Sequence, residues 1–259
     1  MKSGVSTACL YPLNTEDSLA ALLKLGFKTV EVFLNSFCEL EQSFLQNLRD
    51  MADANGAKIV SVHPFLSCFE PFMIFSHYMR RFEDGCDLYR DFIRAANILN
   101  AGILVMHGDY TGGPLPLKEY LRRFEIIHDL CAGKGVLLTQ ENVYNFKSNS
   151  PEFILKMKDS LKEKANFTFD VKQAVRSGFS PFDMLSAMSG SVRHIHVNDN
   201  IPGRDCLLPG KGSLDFAKLK KAADDIGYKG EWIIEVYRQN FEEEAEILAA
   251  AERLDQYIV

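Results

Sequence analysis

Seven side chains that can bind a metal or move a proton recur along the chain, each at or near the end of a short apolar run. They are Glu31, His63, His107, Glu141, Asp170, His196 and Glu235. Carboxylates buried in one cavity raise each other's pKa by repulsion unless a cation offsets it. Oxygen and nitrogen donors without a thiolate suit Mn²⁺, Mg²⁺, Co²⁺ or Zn²⁺. If the fold brings these residues together, we expect a divalent metal ion among them.

Each of these residues, taken alone, also has an ordinary structural interpretation. Glu31 would then be a hydrogen-bonding partner for neighbouring loops. His63 or His107 would be a core histidine whose ring nitrogens are hydrogen-bonded. His194 points the same way as His196 along its strand but lies deeper, and we interpret it as structural. We also interpret His77, His128 and Trp232 as ordinary structural residues. No neighbouring base marks Cys206 as a nucleophile, so we interpret it in the same way.

The densest group of polar side chains surrounds the end of an apolar run at positions 192–197. Its members are His196, Asn198, Asp199, Arg204 and Asp205. Glycines at positions 210 and 212 then predict a turn, and a helix is expected to begin at position 213. Few structural loops need so many polar groups, whereas a site at the carboxyl end of a strand does. This stretch therefore predicts one wall of a site.

Short apolar runs alternate with longer amphipathic runs along the chain, which indicates strands alternating with helices. The predicted strands are 4–10, 29–33, 58–63, 102–107, 136–141, 167–170, 192–197 and 231–236. The first predicted helix is capped by Asn14 or Thr15 and stopped by Gly26, and the others are 39–55, 78–99, 117–132, 151–161, 181–188, 214–226 and 241–257. Such alternation is typical of parallel sheets covered on both faces.

Eight such units within residues 1–259 match the size of one (β/α)8 TIM barrel, so we predict an α/β fold with a single barrel domain. The alternative, a doubly wound open sheet, normally has a GxGxxG turn after its first strand. The sequence at that place is STACLYPLN. Barrel sites are built from the carboxyl ends of strands, and seven of the eight predicted strands end on a carboxylate or an imidazole.

Composition and charge argue against several classes of protein. The net charge of −6 and the pI near 5.6 give no broadly basic surface for a nucleic acid. The first residues lack the apolar segment of a signal peptide, and no apolar run approaches the roughly 18 residues of a membrane span. The six cysteines show no CxxC spacing, which favours reduced thiols. We expect a cytoplasmic protein without a membrane or nucleic-acid partner.

The strand ends and the polar stretch resemble those of the xylose isomerase-like TIM barrel superfamily over essentially the whole chain. The motifs that carry the resemblance are SVHPF, VMHGDY, TQENVYN, FDVKQA, HIHVNDN and IIEVY, with PGRDCLLPGKGSLDF between the last two. The superfamily includes sugar-phosphate isomerases and epimerases, hydroxypyruvate isomerase, ketose 3-epimerases, inosose-processing enzymes, and endonuclease IV among the AP endonucleases of family 2.

The resemblance to the epimerase branch implies one divalent metal (Mn, Mg, Co or Zn) held at the ends of strands five to eight. The ligands that match are Glu141, Asp170, His196 and Glu235. The resemblance to hydroxypyruvate isomerase-type members implies that Arg204 binds substrate through a planar two-point contact. His63 and His107 match the first-site histidines of endonuclease IV, so they would bind either substrate or a second metal. The family also implies a homodimer.

We therefore predict a metal-dependent isomerase or epimerase of carbohydrate metabolism whose partner is a small sugar, a sugar phosphate or a hydroxy-keto acid. Glu141 and Glu235 would be the catalytic carboxylates, one removing a proton beside a carbonyl and the other returning or accepting it. The metal would stabilise the enediolate. Proton return on the opposite face gives epimerisation, and transfer to the adjacent carbon gives isomerisation.

Three alternatives remain open. An endonuclease IV-like phosphoesterase acting on DNA would need three zinc ions, but the third-site histidines of that family are Gln173 and Leu207 here. An inosose-type dehydratase uses the same enolisation and then expels a hydroxyl group. A non-catalytic sugar-binding barrel would bind its ligand without turnover. Gln173 also replaces a histidine that contacts substrate in many epimerases, so the sequence leaves the substrate open.

Overall fold

The computed structural model describes residues 3–258, and within them eight parallel strands close into a barrel. The strands of the molecule are β1 (Gly4–Ser6), β2 (Thr29–Leu34), β3 (Lys58–Pro64), β4 (Ile103–Met106), β5 (Leu137–Glu141), β6 (Phe167–Asp170), β7 (Val192–Val197), β8 (Asp199–Ile201), β9 (Arg204–Leu207) and β10 (Trp232–Ile234). The barrel order is β1-β10-β7-β6-β5-β4-β3-β2, and Gly4 of β1 lies opposite Ile233 of β10 where the ring closes. The prediction of a (β/α)8 barrel is confirmed.

Helices follow the strands and cover the outside of the barrel. They are α1 (Thr15–Lys24), α2 (Gln42–Ala54), α3 (Phe69–Phe72), α4 (Met79–Leu99), α5 (Leu117–Ala132), α6 (Pro151–Leu161), α7 (Val171–Arg176), α8 (Pro181–Ala187), α9 (Phe216–Asp225) and α10 (Ala245–Ile258). Local sequence sets their ends: the Ser150 hydroxyl accepts a hydrogen bond from the Phe153 amide, and Pro151 occupies the first turn of α6. Across residues 3–258, no helix is both long enough and apolar enough to cross a membrane.

The apolar core lies between the strands and the helices. Its fully buried members include Leu19 of α1, Leu48 of α2, Phe92 of α4 and Phe124 of α5. Replacing a buried leucine of this kind by alanine typically costs about 2–5 kcal/mol. The core therefore fixes the strand ends firmly enough to place side chains at defined positions above them.

The inside of the barrel is polar just below its mouth. The Ser61 hydroxyl of β3 donates to Glu31 Oε2 of β2 at 2.8 Å. The hydroxyl oxygens of Thr139 on β5 and Thr168 on β6 lie 2.7 Å apart. Side chains alternate along a strand, so residues two positions further on, including Glu141 and Asp170, also point inward.

Two elements differ from the sequence prediction next to the barrel mouth. The first strand ends at Ser6 rather than at position 10, because the Ser6 side chain accepts a hydrogen bond from the Ala8 amide at 3.3 Å and starts a 3-10 helix. The sequence analysis does not predict α7. This helix begins directly after β6, where Asp170 Oδ1 accepts a hydrogen bond from the Gln173 amide at 3.1 Å.

The polar stretch after β7 folds into the antiparallel β8–β9 hairpin rather than an open loop. The carboxylate of Asp199 accepts hydrogen bonds from the amides of Gly210 at 2.9 Å, Gly212 at 2.8 Å and Leu214 at 2.9 Å. A Cβ on Gly212 would lie 2.4 Å from Asp199 Oδ1, so this turn requires glycine. Asp199, which the sequence groups with the site residues, holds the hairpin and the following turn together, and α9 begins only at Phe216.

Candidate metal centre

Four strand ends place polar side chains around one point in the barrel mouth. They are Glu141 on β5, Asp170 on β6, His196 on β7 and Glu235 directly after β10. One ligand atom from each of the four lies within 4.8 Å of those of the others, and all four residues are buried. These strands are consecutive around the barrel, which is why residues far apart in sequence meet. The structure thus brings together the four residues that the resemblance to the epimerase branch predicts as ligands.

His196 lies between the carboxylates of this group. Its Nδ1 atom is 3.1 Å from Glu235 Oε2 and 3.4 Å from Glu141 Oε1. The same nitrogen is 3.9 Å from Asp170 Oδ2. Its Nε2 atom donates to Glu31 Oε2 at 3.0 Å. A neutral imidazole that donates through Nε2 keeps the Nδ1 lone pair free for a cation.

Glu31 lies below the four ligand candidates and is hydrogen-bonded to one of them, His196. Its Oε2 atom accepts hydrogen bonds from Ser61 Oγ at 2.8 Å and from His194 Nε2 at 2.9 Å, in addition to the bond from His196. The sequence predicts partners for Glu31 in neighbouring loops, but its partners lie on β3 and β7 because Glu31 points into the barrel. Such outer hydrogen bonds fix the orientation of a ligand ring.

The buried charges shift one another's pKa. Burial raises the pKa of Asp170 to about 7, against the opposing effect of Lys172. Burial lowers the pKa of His196, but the charges of Glu31 and Glu235 outweigh burial and hold it well above its ordinary value. Nearby carboxylates are therefore the reason that His196 favours its protonated form, and burial is the main reason that Asp170 does. A divalent cation beside the carboxylates would favour their ionised forms.

The donor atoms fit a divalent metal. Within residues 3–258, the buried oxygens Glu31 Oε1 and Asp170 Oδ2 have no hydrogen-bond partner. Asp170 Oδ2 has ion-pair contacts with Lys172 at 3.2 Å and His196 at 3.9 Å. Unpaired buried oxygens are costly unless a cation or water satisfies them. Three carboxylates and one imidazole, without a thiolate, suit Mn²⁺, Mg²⁺, Co²⁺ or Zn²⁺. The four residues could therefore hold such an ion.

His63 and His107 flank this group on the side of β3 and β4. Their Nε2 atoms lie 3.0 Å apart, and each is 3.8 Å from Glu141 Oε2. With Glu141 they form a second set of atoms that could hold a metal, and His63 joins Glu31 and His196 in a third. The structure places both histidines at the site, and both predicted roles, substrate binding and a second metal, stay predictions.

Glu70 is a site residue that the sequence analysis misses. It is buried on α3, where it accepts hydrogen bonds from the Tyr89 hydroxyl at 2.8 Å and from the Gly108 amide. Its Oε1 atom lies 3.7 Å from His107 Nδ1. Burial lowers the pKa of His107, but the hydrogen bond and charge of Glu70 outweigh burial and raise it. The available signal was a single carboxylate within the apolar run SCFEPFMIF.

Lys172 is the second residue that the sequence analysis misses. It is only 2% exposed, and its Nζ lies 3.2 Å from Asp170 Oδ2 and 3.3 Å from Glu235 Oε2. The ring centroid of Tyr237 is 5.0 Å from the same nitrogen. Burial lowers the pKa of Lys172, but the two carboxylates outweigh burial and hold it well above its ordinary value. A lysine early in a short helix gives no sequence signal that it points inward.

The structure places Arg204 outside the buried group. It is exposed on β9, where it lines an open cleft together with Lys211 and Phe241. Arg176 is more firmly held, since it donates to both carboxylate oxygens of Asp205 at 2.9 and 2.7 Å and to the Tyr237 hydroxyl at 2.8 Å. The role of Arg204 in substrate binding stays a prediction.

Cys206 and His77, both interpreted as ordinary, belong to none of the groups within residues 3–258 that could hold a metal. The buried sulfur of Cys206 accepts a hydrogen bond from the Tyr237 amide at 3.3 Å, and burial raises the pKa of its thiol to about 11. A thiol with such a pKa is a poor nucleophile at neutral pH. Trp232 is buried edge-on against Tyr228, with ring centroids 6.2 Å apart. His77 is exposed.

Comparisons by sequence place the chain among barrel proteins. The sequence model of the family described as xylose isomerase-like TIM barrel matches residues 19–257. An uncharacterized protein of Mycobacterium tuberculosis is 22% identical over 261 aligned positions, which cover 91% of this chain and 89% of the relative. An uncharacterized protein of Mycobacterium leprae is 21% identical over 261 positions, with the same shares of 91% and 89%.

Comparisons by structure give the same architecture. A D-tagatose 3-epimerase-like protein superimposes with a TM-score of 0.82 at 21% identity, over 100% of this chain and 97% of the other. D-psicose 3-epimerase from Clostridium cellulolyticum H10 gives 0.82 at 16% identity, over 100% and 99%. The 3-keto-D-glucoside 4-epimerase from E. coli gives 0.75 at 15% identity, over 99% of each chain. At these identities the likeness establishes a shared fold.

Proposed function

The chain belongs to the xylose isomerase-like TIM barrel family, and on that basis we propose that it is a divalent-metal-dependent sugar isomerase or epimerase. The reaction removes a proton beside a carbonyl group to give an enediolate. A proton then returns to the same carbon or to its neighbour. The substrate is a small sugar, a sugar phosphate or a hydroxy-keto acid.

One observation carries this proposal: four ligand candidates converge from four consecutive barrel strands. Their ligand atoms lie within 4.8 Å of one another, and three of them are carboxylate oxygens. Each buried carboxylate makes ionisation of the others more costly, so such a cluster is unfavourable without compensating positive charge. A divalent ion would add to the positive charge that Lys172 supplies.

The ion, held by Glu141, Asp170, His196 and Glu235, would stabilise negative charge developing on the substrate's carbonyl oxygen. The protein's own carboxylates move the proton. Glu141 ends β5 and Glu235 follows β10, and these are the outer strands of the arc β5-β6-β7-β10. The two carboxylates therefore approach a bound substrate from two sides, so that one removes the proton and the other returns it.

Other residues would bind and orient the substrate. His63 and His107 lie beside Glu141 and can contact substrate hydroxyl oxygens, with Glu70 holding His107 in place. Arg204 on the β8–β9 hairpin would meet a hydroxyl, carboxylate or phosphate group at the outer end of the substrate. The neighbouring structures, named for D-tagatose, D-psicose, D-allulose and 3-keto-D-glucoside epimerases, support a keto sugar as the substrate class.

The first experiment measures metal content per chain in protein purified without chelator. We expect about one Mn, Co, Mg or Zn per wild-type chain and a loss of that metal in His196→Ala. The exposed histidine variant His77→Ala is the matched control and should keep its metal. If the wild type takes up no ion even after Mn²⁺ is added, the proposed function is wrong.

The second experiment detects the proton transfer directly. Metal-loaded protein is incubated in D₂O with D-tagatose, D-allulose and D-fructose, and NMR follows deuterium uptake beside the carbonyl together with new sugars. Wild type should exchange at least one of these protons, whereas Glu141→Gln and Glu235→Gln should not. Loss of one water from the product would indicate the dehydratase alternative. Sugar binding without exchange would indicate the non-catalytic barrel.

A phosphoesterase is the second candidate function, because His63, His107 and Glu141 form a further group that could hold a metal. The net charge of −6 and the residues Gln173 and Leu207 at the third-site positions count against it. Two or three zinc ions per chain, together with cleavage of DNA at an abasic position, would favour this candidate over the isomerase.

A further inference from the structure

Lys172 provides a fixed positive charge inside the barrel mouth. Its Nζ contacts Asp170 Oδ2 at 3.2 Å and Glu235 Oε2 at 3.3 Å. Both carboxylates are buried, and Lys172 itself is 2% exposed, so water screens these contacts poorly. The ammonium group is therefore part of the ligand cluster rather than of the surface.

The lysine holds the same oxygen atoms that face His196. Glu235 Oε2 is 3.1 Å from His196 Nδ1, and Asp170 Oδ2 is 3.9 Å from it. A metal held by the four ligand candidates would draw on the negative charge of the same two carboxylates. The ammonium group and the metal would therefore compete for the negative charge of Asp170 and Glu235.

Lys172 also changes the net charge of the ligand cluster. Glu141, Asp170 and Glu235 carry three negative charges when ionised, and Lys172 neutralises one of them. The remaining two equal the charge of a divalent ion. Without the lysine, metal-free protein would lose the ammonium group that contacts both Asp170 and Glu235, and removing one partner of a buried ion pair is strongly destabilising.

We propose that Lys172 is a positioning residue that acts as an internal counter-cation: it holds Asp170 and Glu235 in place in the metal-free protein and weakens metal binding by competing for their oxygens. This inference rests on the metal site of the proposed function. It assigns Lys172 no contact with substrate. Its consequence is a protein that stays folded without metal and binds the ion reversibly.

The test compares wild type with Lys172→Met, which keeps the length of the side chain and removes its charge. Both proteins are stripped with chelator, the melting temperature is measured with and without Mn²⁺, and the Kd for Mn²⁺ is measured by titration calorimetry. We expect metal-free Lys172→Met to melt roughly 10 °C lower. Its Kd for Mn²⁺ should fall on the order of tenfold or more, because a like charge beside the ion is gone.

The proposal predicts that Lys172→Met destabilises the metal-free protein but tightens Mn²⁺ binding, and these opposite effects distinguish it from a packing role. A lysine that only fills space would lower the melting temperature equally with and without Mn²⁺ and would leave the Kd unchanged, and that result overturns the proposal. Lys58→Met is the matched control, since Lys58 pairs with Glu231 at the exposed end of the barrel. It should leave the Kd for Mn²⁺ unchanged and lower the melting temperature by no more than about 4 °C, to the same extent with and without Mn²⁺.

A double variant keeps the test decisive if metal-free Lys172→Met fails to fold. Lys172→Met with Asp170→Asn removes one charge of each sign, and asparagine can still cap α7. Recovery of a folded metal-free protein in the double variant supports the counter-cation, whereas failure of both variants shows that packing is the cause. Wild type that binds no Mn²⁺ at all contradicts the proposed function, while the metal-free melting temperatures still decide the role of Lys172.

Discussion

Strand β10 has a glutamate at each end, and each glutamate is paired with a lysine. Glu231 precedes the strand and pairs with Lys58, and the two side chains are 32% and 59% exposed. Glu235 follows the strand and contacts Lys172, and these side chains are 9% and 2% exposed. The same two residue types thus meet at both ends of one strand, once in water and once inside the barrel.

The two pairs should differ in energy because their surroundings differ. An exposed ion pair typically contributes about 0–1 kcal/mol, since water and salt screen it. Breaking a buried pair typically costs about 3–5 kcal/mol, because the remaining charge is left without compensation. The candidate metal ligands lie at the buried end, where His196 and further carboxylates surround Glu235. Position in the fold, rather than residue type, decides what each glutamate does.

The largest effect should follow from removing the charge of one glutamate at a time. We expect Glu235→Gln to lower kcat for proton exchange by about 10²- to 10⁴-fold, because a proton-transferring carboxylate is lost. Glu231→Gln should leave kcat unchanged. Both variants are assayed in D₂O at saturating Mn²⁺ with the sugar that the wild type turns over. Equal activities of the two variants would show that the two ends of β10 do not differ in function.

A smaller effect should come from the residue that orients His196 from below. Glu31→Gln keeps the shape of the side chain but weakens the hydrogen bond to His196 Nε2, and such outer changes typically reduce metal affinity by about 10- to 100-fold. Calorimetric titration with Mn²⁺ measures the change.

Glu39 supplies a matched control for this second prediction. It is also buried, and it accepts hydrogen bonds from the Thr15 hydroxyl at 3.0 Å and the Asn35 amide at 2.6 Å, away from the ligand group. Glu39→Gln should keep the wild-type affinity for Mn²⁺. If Glu39→Gln weakened Mn²⁺ binding as much as Glu31→Gln, a general loss of stability would explain both results.

The smallest effect should follow from breaking the exposed pair. Lys58→Met should change the free energy of unfolding by less than about 1 kcal/mol, and added salt should reduce even that difference. Urea unfolding at low and at high salt measures it. A loss of unfolding free energy as large as that expected for metal-free Lys172→Met would show that burial does not make the two ion pairs differ in energy.

Much of the fold could be predicted because local sequence patterns mark the strands and helices of the barrel. Strand β7 and helix α5 occur at the predicted positions, and both follow from hydrophobic periodicity. The connections near the mouth were harder to predict. α7 and the β8–β9 hairpin depend on side chains bonding to backbone, as Asp170 and Asp199 do, and no apolar periodicity marks them.

The ligand candidates could be predicted for a similar reason. In a parallel barrel all strands point the same way, so a carboxylate or imidazole at each strand end is brought to one mouth. Glu141, Asp170 and His196 lie at or next to the end of an apolar run, and the resemblance to the epimerase branch selects them from the seven strand-end residues. Glu70 and Lys172 do not end a strand. They reach the site from short helices, and only the path of the chain shows where they lie.

The sequence by itself determined the order of strands and helices, the barrel that follows from it, and the four residues that meet at its mouth. The reason is that side-chain alternation and strand direction are local properties that one chain reveals. Only the tertiary structure decided which charges face one another. Lys172 contacts Glu235 across 63 positions of sequence, and His196 bonds to Glu31 across 165. The strength of such contacts depends on distance and burial, and both exist only once the barrel has closed.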